Sequence, residues 1–276
     1  MIGKQQNKWP KNILEFDKSE LCYEKVGSGP LIWLAFHGFA QNKAYFERMV
    51  APLSDTHTFY CFDLFFHKES KWHKGTRRLT KDIWRGIMEK FMKEESIETF
   101  SVTGFSLGGR FAMVTLELFP DRVRSITLLA PDGIKTNPWY NLGTKDWMHP
   151  IFNGILNRPK PFLAINRIAH SAGIIRKSVY EFNKLQLNER HRRKRVYLTW
   201  IVFKPIFPDL SSLAQIINKG QLPIKFLIGE FDTIIHLGSI EPLRKKVPHT
   251  KIIILPVGHY KLMNKVDEPT LRELYY

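Results

Sequence analysis

Cysteine is scarce in this sequence: Cys22 and Cys61 are the only two in 276 residues, and neither sits in a CxxC or metal-ligand spacing. That excludes a disulfide framework and suits two reduced core thiols. Long apolar runs are missing too. The longest, Leu31–Phe36, stops at His37, far short of the roughly 18 residues a membrane-crossing helix needs. Residues 1–10 lack the apolar core of a secretory signal, so the expectation is a cytoplasmic protein whose only membrane contact would be peripheral. Acids are the third shortage. There are 26 Asp and Glu against 42 Lys and Arg, a net charge of +16. Such an excess suits an anionic partner, whether nucleic acid, lipid headgroup or acidic substrate, and equally a basic protein that is merely soluble. Nothing else in the composition departs from that of a globular chain. It is long enough to bury a core as one large domain or two small ones.

What is present is an alternation. Strand-like segments fall at Ile13–Phe16, Leu21–Val26, Leu31–Phe36, Thr58–Leu64, Thr99–Thr103, Ser125–Leu129, Ile224–Ile228 and Lys251–Leu255. Helical spacing occupies Lys43–Leu53, Thr80–Lys93 with Thr80 as N-cap, Leu107–Phe119, Ile240–Lys246 and Pro269–Tyr275. This predicts an α/β fold: a mostly parallel sheet of about eight strands with helices on both faces. Between residues 133 and 219 the alternation stops, and only helices are expected: Phe162–Ala172, Ile174–Leu187, Glu189–Phe203 and Leu210–Asn218. The expected organisation is a core of 1–132 and 220–276, interrupted after the sixth strand by an all-helical insertion, 133–219. Within 133–218 there are fourteen bases and four acids, so most of the net charge lies there.

Gly104-Phe105-Ser106-Leu107-Gly108-Gly109 contains a G-x-S-x-G pentapeptide between a strand and a helix. A sharp strand-to-helix turn of that kind projects a serine hydroxyl clear of the sheet, and the glycines make room for it. Serine needs a histidine base oriented by a carboxylate, in the chain order Ser, acid, His. Asp232 follows the Ile224–Ile228 strand and His259 follows the Lys251–Leu255 strand. Both, like Ser106, lie at strand C-terminal ends, the edge where parallel sheets bind ligands. Asp132, after the Ser125–Leu129 strand, is a second candidate acid, and His236 a reserve base. The remaining histidines, His67 among them, read as ordinary surface or core imidazoles. An oxyanion would take two N–H donors. These are expected from Leu107 and from Phe39 in the loop His37-Gly38-Phe39-Ala40, with His37 bracing that loop.

These residues resemble the α/β-hydrolase superfamily: His37-Gly38-Phe39 at the oxyanion loop, Gly104–Gly109 at the nucleophile elbow, and Asp232 and His259 at the acid and base positions. Asp63-Leu64-Phe65-Phe66-His67-Lys68-Glu69-Ser70 is similar to the family's D-x-x-G-H-G-x-S segment but has Phe66 and Lys68 in place of glycines, which leaves that loop's conformation open. The resemblance covers about residues 12–130 and 220–276, and the helical insertion falls where the family carries its cap.

The resemblance implies a serine hydrolase of carboxylic esters or related acyl compounds, with no metal or organic cofactor. Serine rather than aspartate at the elbow argues against epoxide opening and dehalogenation. Carbon–carbon bond hydrolysis stays open, as does a menaquinone-pathway-type lyase, which Arg110 after the elbow resembles. The pocket is expected to be lined by His37, Phe105, Trp139, Trp147 and Trp200, and such aromatics favour an apolar acyl or aryl substrate. The run Arg190-His191-Arg192-Arg193-Lys194-Arg195 has no aromatic interleaving, so nucleic acid is not expected. Its continuation into Tyr197, Leu198, Trp200, Ile201 and Phe203 would suit a lid touching anionic lipid. A catalytically silent lipid-binding protein is the reading from another class.

Overall fold

The computed structural model describes residues 10–135, 145–175 and 177–276. The chain begins with a hairpin of β1 (Lys11–Phe16) and β2 (Ser19–Val26). Its turn, Asp17-Lys18, has φ of 47° and 65°, the primed geometry that matches the right-handed twist of paired strands. Six strands follow: β3 (Leu31–Phe36), β4 (His57–Phe62), β5 (Phe100–Phe105), β6 (Val123–Leu129), β7 (Ile224–Gly229) and β8 (Lys251–Leu255). They form one sheet in the order β1-β2-β4-β3-β5-β6-β7-β8. Pairing is antiparallel from β1 through β2 to β4 and parallel from β4 to β8. This is the mostly parallel eight-stranded sheet that the alternation predicts.

The described helices are α1 (Ala44–Val50), α2 (Lys81–Glu94), α3 (Leu107–Leu118), α4 (His149–Asn157), α5 (Pro159–Ser171), α6 (Lys177–Leu187), α7 (Arg190–Val202), α8 (Leu210–Gly220), α9 (Glu241–Arg244) and α10 (Glu268–Tyr275). Every residue of β4 and β5 is buried. The period of two then sorts their neighbours onto two faces. Trp33, Ala35, Phe59 and Cys61 pack with α1 and α10, and Tyr275 lies edge-on to Trp33 at 4.8 Å. Phe36 and Phe62 face the other way, against Trp84 of α2, Phe111 of α3 and Phe91 of α2. Helices therefore cover both faces. Local signals also hold: Thr80 Oγ1 accepts from the Ile83 amide at 3.2 Å, capping α2. Helix α1 stops at Val50 and tightens into a single 3₁₀ turn, Ala51–Leu53, because Pro52 has no amide to continue it.

The chain divides into two compact units: residues 1–75, 80–135 and 206–276, which hold the sheet, and residues 76–79 and 136–205, which hold α4 to α7. One expected boundary moves. Helix α8, which the sequence groups with the insertion, lies in the sheet unit, with Leu213, Ala214 and Ile217 buried and Asp209 capping its first turn through the amides of Ser211 and Ser212. An amphipathic helix reads the same from sequence whichever unit buries its apolar face.

In the helical unit, α7 departs from the expected interfacial helix. Val196, Tyr197, Ile201 and Val202 are buried, and so is Arg193. Arg193 donates to the carbonyls of Leu156, Leu187 and Asn188, closing the C-terminal end of α6. Arg192 pairs with Glu189 and Arg195 bonds Gln186. Much of the basic run is thus internal bracing. No helix among the described residues is long and apolar enough to cross a membrane.

Candidate active site

The C-terminal ends of β3 to β8 share one edge of the sheet, and the expected chemistry lies in the loops just beyond it. Strand β5 ends at Phe105 and α3 begins at Leu107, so Ser106 alone makes the turn, at φ 50° and ψ −116°. A non-glycine residue in that region costs about 1–3 kcal/mol and persists only when its surroundings hold it. They do: the Ser106 amide donates to Leu129 O at 3.0 Å, and its carbonyl accepts from Gly109 N and Asp132 N, both at 2.9 Å. The need for glycine around it is backbone crowding. A Cβ on Gly104 would fall 2.3 Å from Gly108 O, and one on Gly108 would fall 1.8 Å from Phe36 O.

Ser106 Oγ lies 3.1 Å from His259 Nε2, and His259 Nδ1 lies 2.6 Å from Asp232 Oδ2. Asp232 and His259 are buried, and Ser106 is half-buried. The other Asp232 oxygen accepts from the amides of Ile234 and Ile235, each at 2.8 Å. That local turn locks the carboxylate so that one oxygen faces the imidazole. With Nδ1–H donating to Asp232, Nε2 is free to accept from Ser106. Asp132 is engaged elsewhere: Oδ2 is 2.6 Å from Arg110 Nη2, and the Arg110 guanidinium lies 4.9 Å from the Phe207 ring centre. Arg110 is buried and braces this side of α3. His236 is exposed, and its contacts do not include the triad.

The loop after β3 carries Phe39 between two clamped amides. Gly38 N donates to Gln41 Oε1, and Ala40 N donates to His67 Nε2, both at 3.0 Å. The Phe39 peptide is thereby fixed on both sides, and Leu107 heads the helix whose Gly108 abuts the Phe36 and His37 carbonyls. Neither Gln41 nor His67 was expected to matter. Because β3 and β4 pair in parallel, the loops that follow them meet, and this brings His67 to the Ala40 amide. Its other nitrogen bonds Phe65 O at 3.0 Å.

His37 and Phe105 are not pocket walls, contrary to expectation. His37 is fully buried, accepting from Leu64 N at 3.0 Å and donating to Gly38 O at 2.7 Å. Phe105 is 2% exposed and supports the His259 ring at 4.9 Å. Side chains at strand ends can point under the site as well as into it. Trp147 is exposed, and Trp200 packs on Phe152 within the helical unit. Trp139 lies outside the described residues. On the acid and base loops the large exposed apolar residues are Phe231, Ile234, Leu237 and Tyr260. Burial pushes the Cys22 thiol up to about 12, consistent with an inert core thiol.

The loop after β4 keeps left-handed backbone at both positions that lack glycine: φ is 69° at Phe66 and 44° at Lys68. Lys68 is exposed. Relief of roughly 1–2 kcal/mol of steric strain outweighs the roughly 0.4–1 kcal/mol of added chain entropy in the unfolded state. Lys68→Gly should therefore stabilise the protein by about 0.5–1 kcal/mol, read as a higher urea midpoint at unchanged slope. A lower midpoint would mean the Lys68 side chain contributes more than its backbone costs.

A family model described as alpha/beta hydrolase fold matches residues 34–266. Among characterised proteins, a dihydrolipoyllysine-residue acetyltransferase component of an acetoin cleaving system from Cupriavidus necator is 30% identical over 119 residues, 43% of this chain and 31% of that protein. Lipase 1 of Psychrobacter immobilis is 21% identical over 259 residues, 88% of this chain and 75% of the lipase. A thermophilic esterase from Thermogutta terrifontis superposes with a TM-score of 0.67 at 18% identity, covering 98% of this chain and all of the esterase chain.

Proposed function

We propose, on the premise that the chain belongs to the alpha/beta hydrolase fold family, that it is a serine hydrolase of carboxylic esters or related acyl compounds. The observation that carries this is the hydrogen-bonded relay from Asp232 through His259 to Ser106. Ser106 Oγ attacks the acyl carbonyl while His259 Nε2 takes its proton. The amides of Phe39 and Leu107 hold the developing oxyanion, each donor contributing about 3 kcal/mol to lowering the barrier. His259 returns the proton to the leaving alcohol, and an acyl-enzyme remains on Ser106. Water, deprotonated by His259, then attacks that ester; the bond from the acyl carbon to Ser106 Oγ breaks, His259 returns the proton to Oγ, and the acid is released. Asp232 stays ionised throughout and stabilises the imidazolium.

An apolar acyl or aryl group is favoured by Phe231, Ile234, Leu237 and Tyr260 around the acid and base. The likeness to a lipase is in keeping with an ester substrate. The helical unit is assigned the role of a substrate-selecting cap. A cytoplasmic location belongs to the same reading, supported by two buried free thiols.

Labelling with a fluorophosphonate probe tests the nucleophile. Wild type should label and Ser106→Ala should not, and p-nitrophenyl esters of rising chain length should then be cleaved by wild type alone. Equal labelling of both proteins would place the reactive serine elsewhere. Labelling of neither would favour a binding protein.

A further inference from the structure

Helix α5 is turned the wrong way round for water. Its one fully buried side chain is Asn166, 5% exposed, which accepts from Asn183 Nδ2 at 2.8 Å and donates to Tyr180 O at 3.5 Å. Its isoleucines point outward: Ile165 is 63% exposed and Ile168 68%. With Pro161 and Ala164, also exposed, they make a continuous apolar stripe at helical spacing. Lys160 and Arg167, seven apart and both exposed, run along one border of that stripe. Trp147 and Ile151, four apart, are exposed in the same unit. Across residues 136–205 the sequence carries thirteen Lys and Arg against three Asp and Glu.

Apolar surface of this kind signals a missing partner. A second copy is a poor one, because two such faces would bring like charges together. Nucleic acid would answer the charge and leave the isoleucines in water. An anionic bilayer answers both: apolar side chains enter the boundary between headgroups and acyl chains while bordering cations reach the phosphates. We propose that the outer face of α5 docks the helical unit on an anionic lipid surface, with Ile165 and Ile168 inserted and Lys160 and Arg167 on headgroups. The element that binds is thus α5, and not the basic α7, whose apolar residues are already buried.

The test is vesicle flotation with the full chain, using phosphatidylcholine alone and phosphatidylcholine with roughly one-third phosphatidylglycerol. Wild type should float with the anionic vesicles and far less with the neutral ones. Ile165→Ser/Ile168→Ser should bind at least about tenfold more weakly, with an unchanged circular dichroism spectrum. Lys160→Gln/Arg167→Gln should lose about tenfold at low salt and show little further loss at high salt. Ser106→Ala should float like wild type, so the result does not depend on catalysis. Absence of wild-type binding, or undiminished binding by the isoleucine variant, would overturn the proposal. So would a wild-type dimer that the isoleucine variant converts to monomer, since a second copy would then cover the face.

Discussion

Asp232→Asn is expected to lower kcat toward p-nitrophenyl butyrate by about ten-thousand-fold, with KM nearly unchanged. The size follows from hydrogen-bond direction. One oxygen of Asp232 already accepts from the Ile234 and Ile235 amides. An asparagine keeps its oxygen there and must turn its NH₂ toward His259 Nδ1. That nitrogen then becomes an acceptor, and the imidazole proton moves to Nε2, where it faces Ser106. The base is lost although every atom stays near its place. Removing the whole side chain with Asp232→Ala would confuse this with collapse of the loop, so the isosteric change is the cleaner test. The thermal midpoint should move by only about 2–4 °C, the shift expected for roughly 1 kcal/mol in a chain of this size. A kcat within tenfold of wild type would show that His259 is oriented by something other than Asp232.

Gly108→Ala carries the largest expected effect on stability, about 4 kcal/mol or more, with loss of fluorophosphonate labelling in whatever folds. Alanine is otherwise the better helix former, so propensity alone gives the opposite sign. Packing decides. The added carbon would lie 1.8 Å from Phe36 O, 2.4 Å from Phe36 C and 2.8 Å from His37 O. All three are backbone atoms, so no side chain can swing aside. Strand β3 and the first turn of α3 would have to separate, and with them the Phe39 loop and Ser106. Urea denaturation followed by far-ultraviolet circular dichroism reads the loss. A midpoint equal to that of wild type would mean the two backbones approach less closely than described.

Legibility in the sequence followed the range of each interaction. Ser106 was legible because an elbow is local: glycines two before and two after, a strand in front and a helix behind are all within a dozen residues. Thr80 as N-cap was legible for the same reason. The choice between Asp132 and Asp232 was only weighted by sequence, because each follows a strand of the same sheet. In the structure Asp132 pairs with Arg110, while the carboxylate that bonds His259 is Asp232, 27 residues away along the chain. His67 is the core imidazole that the sequence allows, buried with both ring nitrogens bonded, but its clamp on the Phe39 loop is not a local feature. Its partner, the Ala40 amide, is likewise 27 residues away and meets it only because β3 and β4 pair in parallel.

Taken alone, the sequence determined the α/β alternation, the strained turn at Ser106 and the loops that bear Asp232 and His259. These rest on steric rules spanning a few residues, where backbone geometry leaves few choices. Tertiary structure alone decided that α8 belongs to the sheet unit, that His37 and Phe105 lie buried beneath the site, and that α5 hides an asparagine and shows its isoleucines. Hydrophobic periodicity marks which residues share a face of a helix. What that face meets is set by chain segments far away in sequence, through packing and hydrogen bonds that no local pattern records.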